Sequence, residues 1–205
     1  MIQSKDGDQA YAPSWIAEGT SGEWSIRRVV LPAQTVEVPD ARPHCFRYRP
    51  GEYTELRCGG ITFMTDLYDE WWTQRSAITR ARAVGGRVLV TGLGLGLVVK
   101  EILADPQSRA PIDSVVVVER SADVIKLVAS QLIAELGSCV SIVEADAYTW
   151  VADSGPPFDT VWHDIWPDPM ALAVDAEMAA LRAHHAPWAR WQGFWPDDYR
   201  QALAG

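Results

Sequence analysis

Apolar and polar positions divide the 205-residue chain into two unlike parts. From Arg87 onward, short apolar runs alternate with segments whose apolar residues recur every three or four positions, the pattern of strands and helices laid alternately around a mostly parallel sheet. Val88–Thr91 is the first such run, and Leu97–Leu103 follows it with helical spacing. The four valines of Val115–Val118 predict a strand covered on both faces. Ser121 predicts an N-cap for a helix carrying Val124, Ile125, Val128, Leu132 and Leu136, which Gly137 ends. Val140–Val143 and Phe158–His163 predict the third and fourth strands. Asp168-Pro169 predicts a helix start, with the helix running to Arg182. Trp188–Phe194 predicts a fifth strand before a short tail. The earlier part reads differently: Trp24–Leu31, Thr35–Val38 and Gly51–Met64 are β-prone runs broken by Pro and Gly, the signature of a small antiparallel region. Asp66–Arg82 lacks both breakers and predicts a connecting helix. The fold class is therefore α/β: a Rossmann-like three-layer sandwich with a mostly parallel sheet over residues 83–205, and an N-terminal β region with its connecting helix over 1–82.

Charge and composition narrow the functions open to such a fold. A net charge of -9 without a Lys/Arg run repels phosphate backbones, so no nucleic-acid partner is expected. The first thirty residues hold no apolar stretch of signal or membrane length, so no membrane association and a cytoplasmic location are expected. Cys45, Cys58 and Cys139 are odd in number and far apart, a spacing of neither a disulfide framework nor a zinc site. His44, His184 and His185 add no ligand set to them, and no metal is expected. Trp150, Trp162, Trp166, Trp188, Trp191 and Trp195 crowd the C-terminal third; such rings fill a core or wall a pocket for a flat or cationic ligand.

Chemistry is concentrated at the predicted strand ends. Gly92, Gly94 and Gly96 lie between a strand and a helix, where absent side chains let backbone turn sharply and approach a ligand. Several nucleotide-binding families share such a turn. Leu97 stands where a dinucleotide fingerprint has its third Gly or Ala, which weakens a nicotinamide reading, and the Gly-Lys-Ser/Thr ending of a P-loop is missing. Glu119, with Arg120 beside it, closes the second strand, where a carboxylate can accept two hydrogen bonds from a ribose diol. Asp146, followed by Ala147 and Tyr148, takes the next place along the same edge and can accept from an adenine amino group, or serve as an ordinary loop aspartate. The fourth strand runs into His163-Asp164-Ile165-Trp166-Pro167-Asp168. Asp164 can align or deprotonate a nucleophile, and Trp166 can face a cation. The structural alternatives are a satisfied buried imidazole at His163, a core ring at Trp166 and a helix cap at Asp168.

On these residues the chain resembles the class I S-adenosylmethionine-dependent methyltransferases, and among them the spermidine-synthase-like branch, from about Gly51 to Pro169. The matching segments are Met64-Thr65-Asp66-Leu67-Tyr68-Asp69-Glu70, the glycine strand Arg87–Gly96, Val118-Glu119, Glu144-Ala145-Asp146-Ala147 and Phe158–Asp164. The Trp-His-Asp-Ile-Trp-Pro-Asp and Trp-Gln-Gly segments are also similar to those of a group of bacterial and phage proteins in this superfamily. The resemblance implies S-adenosylmethionine as cofactor, held by Gly92, Gly94, Gly96, Glu119, Arg120, Asp146 and Ala147. It further implies catalytic roles for Asp164, His163 and Trp166, with Asp66, Trp71 and Trp72 toward a small-molecule acceptor. Two departures count against polyamine synthesis: Leu93 and Leu95 occupy a turn that carries an Asp in polyamine synthases, and Trp71, Trp72, Thr73 and Gln74 stand where their Tyr and His are expected. Methyl transfer is the leading expectation. Transfer, cyclisation or elimination of the aminopropyl or aminocarboxypropyl arm is the alternative, followed by non-catalytic binding with the same fold. No counterpart to the closing hairpin of many methyltransferases is expected after the fifth strand, and the shortened sheet edge makes a homodimer one expected arrangement.

Overall fold

A computed structural model describes residues 16–32, 51–104 and 110–204. The predicted strand Thr35–Val38, His44 and Cys45 lie outside the described residues. Two sheets organise the rest. In the first, β1 (Gly19–Ser21), β2 (Trp24–Leu31), β3 (Gly51–Cys58) and β4 (Ile61–Thr65) pair antiparallel in chain order. Gly59 and Gly60, both at positive φ, turn β3 into β4, so the run read as Gly51–Met64 is a hairpin.

In the second sheet, β5 (Gly86–Thr91), β6 (Ile112–Glu119), β7 (Val140–Glu144), β8 (Thr160–His163) and β9 (Gln192–Phe194) are parallel, in the order β7-β6-β5-β8-β9. The apolar runs of β5 and β6 occupy its middle, where Val88, Leu89, Val115 and Val117 are fully buried. Helices flank this sheet: α2 (Arg75–Val84) lies against β8, α3 (Leu97–Leu103) against α2, and α4 (Ala122–Leu136) against β6 and β7. Ser121 caps α4 by accepting from Val124 N. The order reverses between β5 and β8, and such a switch point opens a crevice at the carboxyl ends of the strands. The first sheet is docked beside it on α4, through Ser21 Oγ donating to Asp123 at 2.7 Å.

Three elements depart from the sequence pattern. The connecting helix is broken at Gln74 into α1 (Tyr68–Thr73) and α2. Helix α5 (Val174–His185) begins six residues after Asp168, whose carboxylate instead accepts from Met170 N in a tight turn. The tail after β9 is a helix, α6 (Trp195–Ala204), tied to α1 by the Trp195 indole N–H donating to Thr73 Oγ1 and to α2 by Ser76 donating to Asp198. No helix among the described residues is long and apolar enough to cross a membrane.

Candidate active site

A cavity of about 370 Å³ lies over the carboxyl ends of the parallel strands and under β4. Its floor follows from strand register. Gly92 N donates to Val118 O, Asp164 N to Thr91 O and Ala145 N to Glu119 O, so the ladder brings Asp164, Gly92, Glu119 and Asp146 into one row. All four line the cavity, as do Gly94, Arg120, Ala147 and Trp166.

The glycines are required by the neighbours of the turn. Gly92 has φ 93°, and a Cβ there would overlap the Asp164 carbonyl oxygen. Gly94 has φ 49°, and a Cβ there would overlap the Met64 sulfur, which accepts from Leu95 N at 3.3 Å. Both backbone conformations are ones that L side chains rarely adopt. Gly96 is buried away from the cavity, where its Cβ would come within 2.9 Å of Leu132 on α4.

Glu119 is oriented before any ligand arrives. Its Oε2 accepts from Leu93 N at 2.9 Å and its Oε1 from Ser121 N at 2.8 Å. Each carboxylate oxygen retains acceptor capacity, so the group can also receive a diol. Asp146 Oδ1 accepts from Tyr148 N at 2.8 Å, which fixes the loop and leaves Oδ2 for an amino group. Among the described residues, Arg120 is the one cation on the cavity wall, and it stands at this end. Burial, with the Glu177 and Asp146 charges, pushes the Tyr148 hydroxyl up to about 12.

The other end is acidic. Asp69 and Glu70 of α1 and Asp164 after β8 share it with Trp195 and Tyr199 of α6. Burial pushes Asp164 up to about 7, against the Gln74 hydrogen bond that favours its ionised form. Burial and then the Asp164 and Asp69 charges hold Glu70 well above the usual carboxylate range. Trp166 faces the cavity with its indole N–H donated to Glu177 Oε2 at 2.6 Å. No group of three or more His, Cys, Asp or Glu side chains among the described residues is arranged to hold a metal ion.

Five residues expected in the site lie elsewhere: Gly96, which packs on Leu132, and His163, Asp66, Trp71 and Trp72. His163 is fully buried under the sheet. Gln192 donates its amide N–H to Arg182 O, so its Oε1 accepts from His163 Nε2 at 3.1 Å. His163 Nδ1 is then the acceptor for the Thr91 hydroxyl at 3.0 Å. Burial and the nearby His185 keep this imidazole neutral, down to about 3. Asp66 is also fully buried and accepts from Thr54 N at 2.6 Å, joining β3 to the start of α1. The Trp71 indole N–H points to Glu101 of α3 at 3.3 Å, and Trp72 lies under the Arg75 guanidinium. Trp71 and Trp72 are absent from the cavity wall because α1 turns its Asp69–Glu70 side inward, and Asp66 because its carboxyl is drawn to Thr54. Met64, Asp69 and Glu70, which belong to one matching segment but carried no expected role of their own, line the site, as do Trp195 of the C-terminal tryptophan cluster and Tyr199, which the sequence pattern did not single out. The acidic pair adjoining Asp66 was the available signal.

One solved structure shares this architecture over almost the whole chain. The chain is similar to a spermidine synthase solved with the transition-state analogue AdoDATO, at 16% identity and a TM-score of 0.54, covering 98% of this chain and 75% of that one. The two share a fold. The alignment takes in the antiparallel sheet as well as the parallel one. Spermidine synthase from Thermotoga maritima matches at 20% identity and a TM-score of 0.43, over 71% of this chain and 46% of that one. A dimethyladenosine transferase from Plasmodium falciparum matches at 18% identity and a TM-score of 0.44, over 59% of this chain. The chain spans 39% of that transferase and 43% of the 23S rRNA methyltransferase ErmE. No protein-family model and no curated protein matches the sequence.

Proposed function

We propose that the chain binds an S-adenosyl donor across the carboxyl edge of the parallel sheet and transfers a group from it to a small-molecule acceptor. The observation that carries this reading is the row formed by Asp146, Glu119, Gly92 and Asp164 along one cavity. When bound, an S-adenosyl donor supplies a sulfonium whose attached carbons are open to in-line displacement. The residues present fit such a group. Glu119, held by two backbone N–H groups, is a ready acceptor for a diol, and Asp146 has a free oxygen for an amino group. Asp164, at the opposite end, accepts the proton that an attacking nucleophile must lose; a carboxyl with its midpoint near 7 suits that task at neutral pH. The acceptor is a small molecule because the cavity holds about 370 Å³ and its Asp164 end is acidic, which disfavours a phosphate backbone.

Methyl transfer from S-adenosylmethionine is the first form of this reaction. Transfer of an aminopropyl arm is the second, and the acidic end favours it. Burial raises the midpoints of Asp69, Glu70 and Asp164, so an α-carboxylate would add a further negative charge to a site that already disfavours them, whereas a donor arm or acceptor ending in an ammonium group would favour their ionised forms. Incubation with S-adenosylmethionine or its decarboxylated form and a panel of amines, followed by mass spectrometry, separates the two. S-adenosylhomocysteine marks methyl transfer and 5′-methylthioadenosine marks arm transfer. Neither product from any acceptor would support non-catalytic binding.

A further inference from the structure

Gln74 does not line the cavity, yet it joins the parts that do. It stands in the break between α1 and α2 with φ -100° and ψ -3°, and its side chain is fully buried. An amide has one acceptor atom and two N–H donors. The Trp162 indole nitrogen can only donate, and it lies 2.6 Å from Gln74 Oε1. That bond sets the orientation of the amide, so its nitrogen faces Asp164 and donates to Oδ2 at 2.7 Å. The same side chain hydrogen-bonds Glu70. One amide thus spans two carboxylates that repel each other, and a fully buried indole on the inner strand β8 keeps it from turning over.

We propose that Gln74, locked by Trp162, is the positioning residue for Asp164: it holds Oδ2 as a permanent acceptor and leaves Oδ1 for the proton of the acceptor molecule. The inference rests on the transfer reading for the identity of that proton, but the lock itself is a property of the free protein. Were the amide reversed, its oxygen would face Asp164, and the carboxyl would have to stay protonated to make that contact. Were it absent, both carboxyls would lose the N–H donor that favours their ionised forms. Either change removes the base from use near neutral pH. Glu70 and Asp69 on α1 are the charged groups facing this pair. His163, next in the chain, is directed to Thr91 and Gln192, and Asp198 of α6 is directed to Ser76.

The test is a carbon-13 NMR titration of carboxyl-labelled protein without donor or acceptor. It compares the wild type, Gln74→Met and Trp162→Phe, with Asp164→Asn assigning the Asp164 signal. The Asp164 midpoint should rise by about one unit or more in Gln74→Met, because a donor to the ionised form is gone, and should also rise in Trp162→Phe, which keeps the glutamine but frees it to turn. Calorimetry should show donor affinity within several-fold of wild type in both. With a productive acceptor, kcat at pH 7 should fall while KM for the donor holds, and activity should return at higher pH. An Asp164 midpoint that stays put in either folded variant overturns the proposal; Trp162→Phe decides the matter if Gln74→Met does not fold. A shifted midpoint in a protein that forms no product leaves the lock standing and removes the transfer reading.

Discussion

A carboxyl at a strand end is ordinarily ionised well below neutral pH, whereas Asp164 is enclosed by α1, the glycine turn and the loop after β8 and is held near its midpoint. The base is the ionised form, so kcat/KM should rise as pH increases through about 7. Asp164→Asn should abolish that limb and lower turnover by roughly 10² to 10⁴, with donor affinity within several-fold of wild type. Stopped-flow or steady-state assays across pH 5.5 to about 9 check both halves of the expectation. Equal losses in affinity and turnover would move Asp164 from the reaction to donor binding. At this scale the strand ends were legible in the sequence: Glu119, Asp146 and Asp164 each follow an apolar run, and parallel register carries such positions to one edge. At His163 the buried imidazole that stood as the structural alternative is what forms; the sequence could not choose it, because a residue on an alternating strand points to the opposite side from its neighbour and the partners that hold its ring, Thr91 and Gln192, are distant in sequence.

Elements place these residues, and the glycine turn shows how tightly two of them are coupled. Its approach to β4 is set by Gly94 against Met64 rather than by the turn alone. Gly94→Ala should therefore weaken donor binding by displacing Met64 as well as by straining φ. Met64→Ala should relieve part of that loss when the two are combined, a non-additivity of about 0.5–3 kcal/mol measured by a double-mutant cycle on donor affinity. Strict additivity would mean that strain acts alone. The parallel strands and the Ser121 cap could be read locally because apolar runs and capping chemistry are local signals. The break at Gln74 and the helix after β9 could not. Arg75–Val84 continues the helical composition of α1, and the break is held by Trp162 and Asp164 from the far side of the sequence. Helix α6 begins at Trp195-Pro196 directly after a three-residue strand, too short a signal to separate from a tail. Its Trp195 and Tyr199 complete the acidic end of the cavity, which is why that end was the least legible part of the site.

For the whole molecule, the buried ionisable groups tie stability to pH in opposite directions. Asp164 has a raised folded-state midpoint, from 3.8 to about 7, so its contribution is fully present below about pH 3.8 and is lost as pH rises through 7. His163 is the reverse: lowered from 6.5 to about 3, it contributes stability above pH 6.5 that is lost as pH falls toward 3. Replacing Asp164 by Asn isolates the first effect. The variant should match wild type in Tm near pH 4 and exceed it at pH 8, as followed by differential scanning calorimetry; a constant offset at both pH values would show that Asp164 carries no buried-charge penalty. The same arrangement, a carboxyl with a raised midpoint at one end and a pre-oriented carboxylate at the other, is what the two sheets and α6 jointly build. Its central claim is that an S-adenosyl group lies along that row with its diol on Glu119. Isothermal titration of S-adenosylmethionine and its decarboxylated form into wild type and Glu119→Ala tests this most directly. At least one donor should bind the wild type, and the variant should bind it about 10- to 150-fold more weakly, the worth of roughly 1.5–3 kcal/mol for a hydrogen bond to a charged group. Binding of neither donor to the folded wild type, or undiminished binding to folded Glu119→Ala, would contradict it.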